Sequence, residues 1–117
     1  MKLFLGNKAY SSWSLRGWLA VKHSGLPFED VTVPMYDDDW SRRREGNEFA
    51  PSGGKVPILW DGDDVVVWDS LAIVEYLSER TAGKRGYWPS DKGARAMARS
   101  MAAEMHSSFA ALRREHT

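Results

Sequence analysis

Two short apolar runs on either side of an Asp-Gly turn constrain the fold of this chain most. The runs 56–60 and 65–68 flank the segment Asp61-Gly62-Asp63-Asp64. An Asp-Gly pair between such runs favours the tight turn of a β-hairpin. We therefore predict two antiparallel strands in the middle of the chain.

The first part of the chain predicts a strand, a helix and a second strand. Residues 2–5 form a short apolar strand, and residues 28–33 form the second one. Between them, Leu15, Trp18 and Leu19 recur at i, i+3 and i+4, which indicates a helix. Two strands separated by a helix in one sheet are parallel and joined by a right-handed crossover.

Two more helices complete the order of elements up to residue 80. The run 37–44 places acidic residues before basic ones, which suits the dipole of a short helix. A loop at 48–54 follows, and after the hairpin Asp69-Ser70 opens a helix to about Arg80. The resulting α/β order, βαβαββα, predicts a thioredoxin-like domain with a four-stranded mixed sheet over residues 1–80.

The remainder of the chain is predicted to be a linker and one long helix. Residues 81–89 contain two glycines and read as the linker. Ser90 or Asp91 caps a helix over 90–117, which we expect to be the first helix of a truncated all-helical second domain. Its apolar stripe, which serves either core packing or a substrate site, consists of Met97, Met101, Met105, Phe109 and Leu112.

The composition argues against several classes of function. The chain has 16 basic and 16 acidic residues, whereas a nucleic-acid-binding protein usually carries a basic excess. It has no cysteine, which removes disulfides and thiol chemistry of its own. Its three histidines are scattered, so we predict no metal site. No membrane span or secretory leader is visible, and we expect a cytoplasmic protein without a membrane partner.

Three segments have the residue types of a binding site for an anionic ligand. The segments are 10–16, 53–59 and 68–73. The first and third lie at predicted helix N-termini, where free N–H groups attract anions. In the second, Pro57 has no N–H to donate, which leaves the backbone of Val56 available to a ligand. Taken one at a time, the serines and Asp69 are equally typical of plain helix caps.

Together, these segments resemble the N-terminal domain of a cytosolic glutathione S-transferase of the serine type. Lys55-Val56-Pro57-Ile58-Leu59 resembles the cis-proline loop of that family, and Asp69-Ser70 resembles its acidic-Ser pair. The segment 10–16 resembles the serine-type active-site segment. The resemblance covers the whole chain: a glutathione-binding domain over 1–80, a linker over 81–89 and the opening of the helical domain.

The resemblance implies a role for each residue. Glutathione, the co-substrate, would lie extended beside Val56, and the Val56–Pro57 bond would be cis. Asp69 would take the γ-glutamyl ammonium group, and Ser70 with the helix N-terminus would take the carboxylate. Lys55 is a candidate for the glycyl carboxylate.

The resemblance also implies that a serine donates a hydrogen bond to the glutathione sulfur. Some members place this residue five before an arginine such as Arg16, which selects Ser11, and others place it four before, which selects Ser12. Tyr10 is a third candidate, because tyrosine-type members use a phenol near this point.

The implied reaction is attack of the glutathione thiolate on a small electrophile by a homodimeric transferase. Two alternatives stay open. One is a non-catalytic glutathione-binding or protein-interaction module. The other is a glutathione-dependent isomerase, since the Ser11-Ser12 pair is similar to that of the zeta class. That class carries Ser-Ser-Cys, whereas Trp13 stands third in this sequence.

Overall fold

The computed structural model describes residues 1–6, 12–33, 46, 49–52 and 56–115. Within these residues, four strands and three α-helices are present, with a 3-10 turn at Ala50–Ser52. The elements in chain order are β1 (Lys2–Leu5), α1 (Ser12–His23), β2 (Glu29–Thr32), β3 (Ile58–Asp61), β4 (Val65–Trp68), α2 (Ser70–Arg80) and α3 (Lys92–Glu115). The helix predicted at 37–44 lies outside the described residues.

The four strands form one mixed sheet in the order β2-β1-β3-β4. Strand β1 pairs parallel with β2, as expected for two strands joined through α1. It pairs antiparallel with β3, and β3 pairs antiparallel with β4. This arrangement confirms the predicted thioredoxin-like sheet.

The hairpin of β3 and β4 closes where the Asp-Gly pair predicted it. Asp61 pairs with Val65, and the intervening turn begins at Gly62, whose φ is +78°. Glycine adopts this left-handed conformation without the steric cost that a side chain brings. The local sequence therefore determines both the position of the turn and the register of the two strands.

The core of the sheet region is a small aromatic and aliphatic cluster. Phe4, Val33, Phe49 and Ile58 are all buried to 1% exposure or less. The rings of Phe4 and Phe49 meet edge to face, with their centroids 5.1 Å apart. Such a geometry stabilises an aromatic pair beyond the area that it buries. The tryptophans whose side chains are described, at 18, 60, 68 and 88, are only half-buried or exposed.

The chain divides into two compact units, Met1–Leu77 and Ser78–Thr117. The first contains the sheet and α1. The second contains α3, which begins after Asp91, one of the two predicted caps: the Asp91 carboxylate accepts a hydrogen bond from the Ala94 N–H at 2.9 Å. The predicted division into 1–80, 81–89 and 90–117 stays a prediction.

The predicted methionine stripe on α3 is exposed within the described residues. Met97, Met101 and Met105 are 66%, 62% and 66% exposed. They are therefore not part of the described core. Within the described ranges, no helix is long and apolar enough to cross a membrane.

Candidate functional site

The sheet register gathers three chain segments at one end of the sheet. Strand β3 runs against β1, so its first residue, Ile58, pairs with Phe4 near the end of β1. Ile58 also pairs with Trp68, the last residue of β4. The segments that follow β1, precede β3 and follow β4 therefore leave the sheet at the same end. We call this end of the sheet the site end.

The three segments at the site end are those with the candidate residues. Gly6 follows β1 and leads toward the candidate serines; Val56 and Pro57 precede β3; Asp69 and Ser70 follow β4. Thus the register brings together segments that are far apart in the sequence.

Some predicted residues lie outside the described part of the chain. These are Tyr10, Ser11 and Lys55. Ser12 is the first residue of α1, so its backbone lies at a helix N-terminus, as predicted.

The segment before β3 has the predicted cis peptide bond, between Val56 and Pro57. Pro57 is buried, whereas Val56 is half-buried and packs against the core cluster. The strand begins at Ile58, two residues later than predicted. A proline has no N–H for the sheet ladder, which accounts for the later start.

The segment after β4 forms a capped helix start. The Asp69 carboxylate accepts a hydrogen bond from the Leu71 N–H at 2.9 Å, and the Asp69 carbonyl accepts one from the Ile73 N–H at 2.9 Å. Asp69 is thus the N-cap of α2, which confirms the cap interpretation. Ser70, the first residue of the helix, is 5% exposed.

Asp69 has a positive φ of +76°, which is uncommon for a residue other than glycine. Residues in this conformation cluster at ligand sites, where the surrounding structure holds them. The side chain is exposed, so a carboxylate faces solvent beside the N-terminus of α2. This arrangement places a carboxylate and a helix N-terminus side by side.

Ser14 is a residue of this region whose role the sequence reasoning missed. Its side chain is fully buried, and its hydroxyl oxygen accepts a hydrogen bond from the Gly6 N–H at 2.9 Å. A serine two residues inside a helix has no distinctive signal, because serines at such positions usually face solvent. The bond holds the start of α1 against the end of β1.

Within the described residues, no group of His, Asp and Glu side chains is arranged to hold a metal ion. Among the described residues, the site end offers helix N-termini, the Asp69 carboxylate, the buried serines Ser14 and Ser70, and the backbone beside Pro57. A helix N-terminus favours an anionic group, and backbone at the end of a strand can pair with an extended peptide.

Residues 10–80 match the family described as Glutathione S-transferase, N-terminal domain. The chain belongs to this family. The match takes in more than half of the chain and includes all three candidate segments.

Similar proteins include two curated enzymes. One is a dichloromethane dehalogenase of Methylorubrum extorquens, 38% identical over 63 residues, which are 54% of this chain and 21% of the dehalogenase. The other is a maleylacetoacetate isomerase of Pseudomonas aeruginosa, 32% identical over 80 residues, which are 68% of this chain and 37% of the isomerase. The matches thus span about a fifth and about a third of these relatives.

Among solved structures, a glutathione transferase homologue from Burkholderia GL BGR1 with bound glutathione has a TM-score of 0.70 and 28% identity. The match covers 92% of this chain and 54% of the other. The matched part of this homologue therefore has the same fold as this chain, and the homologue holds glutathione.

Proposed function

We propose that this protein binds glutathione at the site end and activates its thiolate for attack on a small electrophile. The observation that carries the proposal is the convergence of three segments at one end of the sheet: β1–α1, Val56-Pro57 and Asp69-Ser70. The family assignment and the glutathione-bound relative support it.

The tripeptide backbone of glutathione would pair with Val56. Because the sheet ladder begins only at Ile58, the Val56 backbone lies just before the start of β3. An extended peptide adds to such a segment as another strand would. Lys55 would then be near the glycyl carboxylate.

The γ-glutamyl end carries both an ammonium and a carboxylate group, and each has a matching partner. The exposed Asp69 carboxylate attracts the ammonium group. The first N–H groups of α2 and the Ser70 hydroxyl suit the carboxylate, because a helix N-terminus favours negative charge.

The thiol of glutathione would lie at the N-terminus of α1. A free thiol has a pKa of about 8.5 and is mostly protonated at neutral pH. A hydroxyl donor from Ser11 or Ser12, together with the helix dipole, favours the thiolate. The serine stabilises the sulfur and forms no covalent bond to it.

The electrophile is a small molecule with a leaving group or an activated double bond. The similarity to a dichloromethane dehalogenase favours an alkyl halide. In that reaction, the thiolate forms a carbon–sulfur bond, halide leaves with the electron pair of the carbon–halogen bond, and the thiol proton passes to solvent.

A glutathione titration followed by calorimetry and thiolate absorbance tests the proposal. We expect binding with a thiolate signal at neutral pH. Ser11→Ala and Ser12→Ala are made separately, with Ser100→Ala in α3 as the matched control. We expect one of the first two to lose the thiolate signal while affinity changes little. An absence of glutathione binding by the unaltered protein would refute the proposal.

The second candidate is a glutathione-dependent isomerase, which the similarity to a maleylacetoacetate isomerase favours. The thiolate would add to a cis double bond, and elimination after rotation would return both the trans product and glutathione. Turnover of a cis-dienone without net loss of glutathione would identify this activity. Displacement of halide, by contrast, consumes one glutathione per turnover.

A third candidate is a non-catalytic glutathione-binding or protein-interaction module. It predicts binding without a thiolate signal and without turnover of either electrophile.

We also propose that the protein is a homodimer, since Leu19 on α1 and the α3 methionines are exposed apolar side chains that favour association. Light scattering that gives only the 13.2 kDa monomer would contradict the dimer.

A further inference from the structure

In the interior of helix α1, Gly17 lies against Pro57, the residue before β3. A Cβ atom placed on Gly17 would lie 2.8 Å from the Cβ and 2.9 Å from the Cγ of Pro57. Carbon atoms in van der Waals contact lie about 3.5–4.0 Å apart. The helix backbone therefore rests directly on the proline ring, and no side chain fits between them.

This contact is buried and is not relieved by a flexible neighbour. Gly17 and Pro57 are both buried, and the next nearest atom from another part of the chain is Cδ1 of Ile73, 3.9 Å from the added Cβ. The proline side chain is closed onto its own backbone nitrogen, so displacement of the ring moves the Val56–Pro57 peptide or the helix. Glycine is also unfavourable inside a helix compared with alanine. The close approach gives a physical reason for a glycine here.

The contact joins the two halves of the proposed site. Helix α1 begins at Ser12 and bears the sulfur-facing end, whereas Pro57 adjoins Val56, whose backbone faces the tripeptide. Gly17 thus sets the distance between the group that holds the sulfur and the group that holds the peptide backbone.

We propose that Gly17 is a positioning residue for glutathione: its lack of a side chain lets α1 approach Pro57 closely enough for one ligand to reach both halves of the site. This inference rests on the proposed function. A Cβ at 2.8 Å must be displaced by about 0.7 Å to reach ordinary contact. Small displacements of the groups that hold a ligand have large effects: a misplacement of about 1 Å can lower a catalytic rate about a hundredfold.

Gly17→Ala tests the inference through glutathione affinity measured by calorimetry on the whole chain. We expect affinity to fall about tenfold or more in the folded protein, which corresponds to about 1.4 kcal/mol. The folded fraction is measured in the same buffer by circular dichroism, because partial unfolding weakens apparent affinity only in proportion to that fraction.

Two control variants separate positioning from stability. Gly93→Ala makes the same substitution in α3, where the nearest atom to the added Cβ is Asp91 Oδ2 at an ordinary 3.5 Å. Val21→Ala removes fully buried methyl groups from the same helix α1 and lowers the unfolding temperature without adding an atom beside Pro57. We expect both controls to bind glutathione as the unaltered protein does.

The outcomes are separable. If the unaltered protein binds glutathione and folded Gly17→Ala binds it equally well, the inference fails while the proposed function stands. Equal weakening in Val21→Ala also overturns the inference, because loss of stability then explains the effect. If the Gly17→Ala chain never folds, even with saturating glutathione, Gly17 is required for folding itself. That result would also overturn the inference that Gly17 positions the ligand. An unaltered protein that fails to bind glutathione overturns the proposed function and this inference with it.

Discussion

The hydroxyl oxygen of Ser14 accepts a hydrogen bond from the backbone N–H of Gly6 at 2.9 Å, and the Ser14 side chain is fully buried. The bond links the first turn of α1 to the residue after β1. The candidate serine Ser11 lies in the chain between these two points. Ser14 therefore holds together both ends of the segment on which the proposed sulfur chemistry depends.

Replacing Ser14 with alanine should lower the free energy of unfolding by about 1–3 kcal/mol, because a buried N–H loses its acceptor. Urea unfolding measures the change. Ser100→Ala is the matched control: Ser100 is exposed on α3 and donates a hydrogen bond to the Ala96 carbonyl at 3.0 Å. We expect that control to stay within about 0.5 kcal/mol of the unaltered protein. Equal effects in the two variants would contradict the role of Ser14.

The hydroxyl of Tyr76 in α2 donates a hydrogen bond to the Asp61 carboxylate at the end of β3. Tyr76→Phe should reduce the free energy of unfolding by about 1–2 kcal/mol, since bonds to charged groups are stronger than neutral ones and this one is half-buried. A double-mutant cycle with Asp61→Ala tests the pairing. We expect the two losses to be non-additive by at least about 0.5 kcal/mol. Strict additivity would show that the two residues act independently.

Burial raises the pKa of Tyr87 above its ordinary value of 10.0, and the positive charge of Arg85 partly opposes this shift. In the unfolded chain, Tyr87 therefore loses its proton at a lower pH than in the folded chain. The free energy of unfolding should fall as the pH rises above 10, because the unfolded state then binds fewer protons than the folded state.

Ultraviolet titration of Tyr87→Phe against the unaltered protein isolates this group among the four tyrosines. We expect the missing transition to have its midpoint above 10. The variant should also lose less stability than the unaltered protein between neutral and strongly alkaline pH. A missing transition at or below the ordinary value would refute the burial effect.

The hairpin turn and the helix caps could be predicted from the sequence, because each depends on a few neighbouring residues. The Asp61-Gly62 pair located the hairpin, because only a few residue types adopt the turn conformation that it requires. The sequence predicts a cap at Asp69 and one at either Ser90 or Asp91, and the carboxylates of Asp69 and Asp91 each accept a hydrogen bond from a backbone N–H of the first turn. The order of strands and helices predicted a parallel pair, an antiparallel hairpin and a four-stranded mixed sheet; the pairing of β1 with β3, which joins the two halves, comes from the structure.

Contacts between distant segments were not predictable in this way. Ser14 accepts a hydrogen bond from Gly6 across the β1–α1 connection, and Gly17 lies against Pro57, forty residues along the chain. Nothing in the local pattern distinguishes such a serine or glycine from an ordinary one in a helix. The late start of β3 likewise depends on Pro57, which has no N–H for the sheet ladder.

Asp69 offers the sharpest test of the γ-glutamyl end, because its capping and its charge can be separated. Asp69→Asn keeps a side-chain oxygen for the Leu71 N–H, and asparagine tolerates the positive φ of +76°. The cap should therefore survive, with the free energy of unfolding changed by less than about 0.5 kcal/mol. The negative charge that we assign to the glutathione ammonium group is lost.

We expect Asp69→Asn to weaken glutathione binding about tenfold, the equivalent of about 1.4 kcal/mol, as calorimetry would measure. The matched control is Asp91→Asn, which removes the charge from the cap of α3, where Ala94 donates to the carboxylate at 2.9 Å. That control should bind glutathione normally. High salt should weaken binding to the unaltered protein more than to Asp69→Asn, because salt screens the exposed charge pair. Equal affinities for the two variants would remove Asp69 from the site and leave it as a helix cap alone.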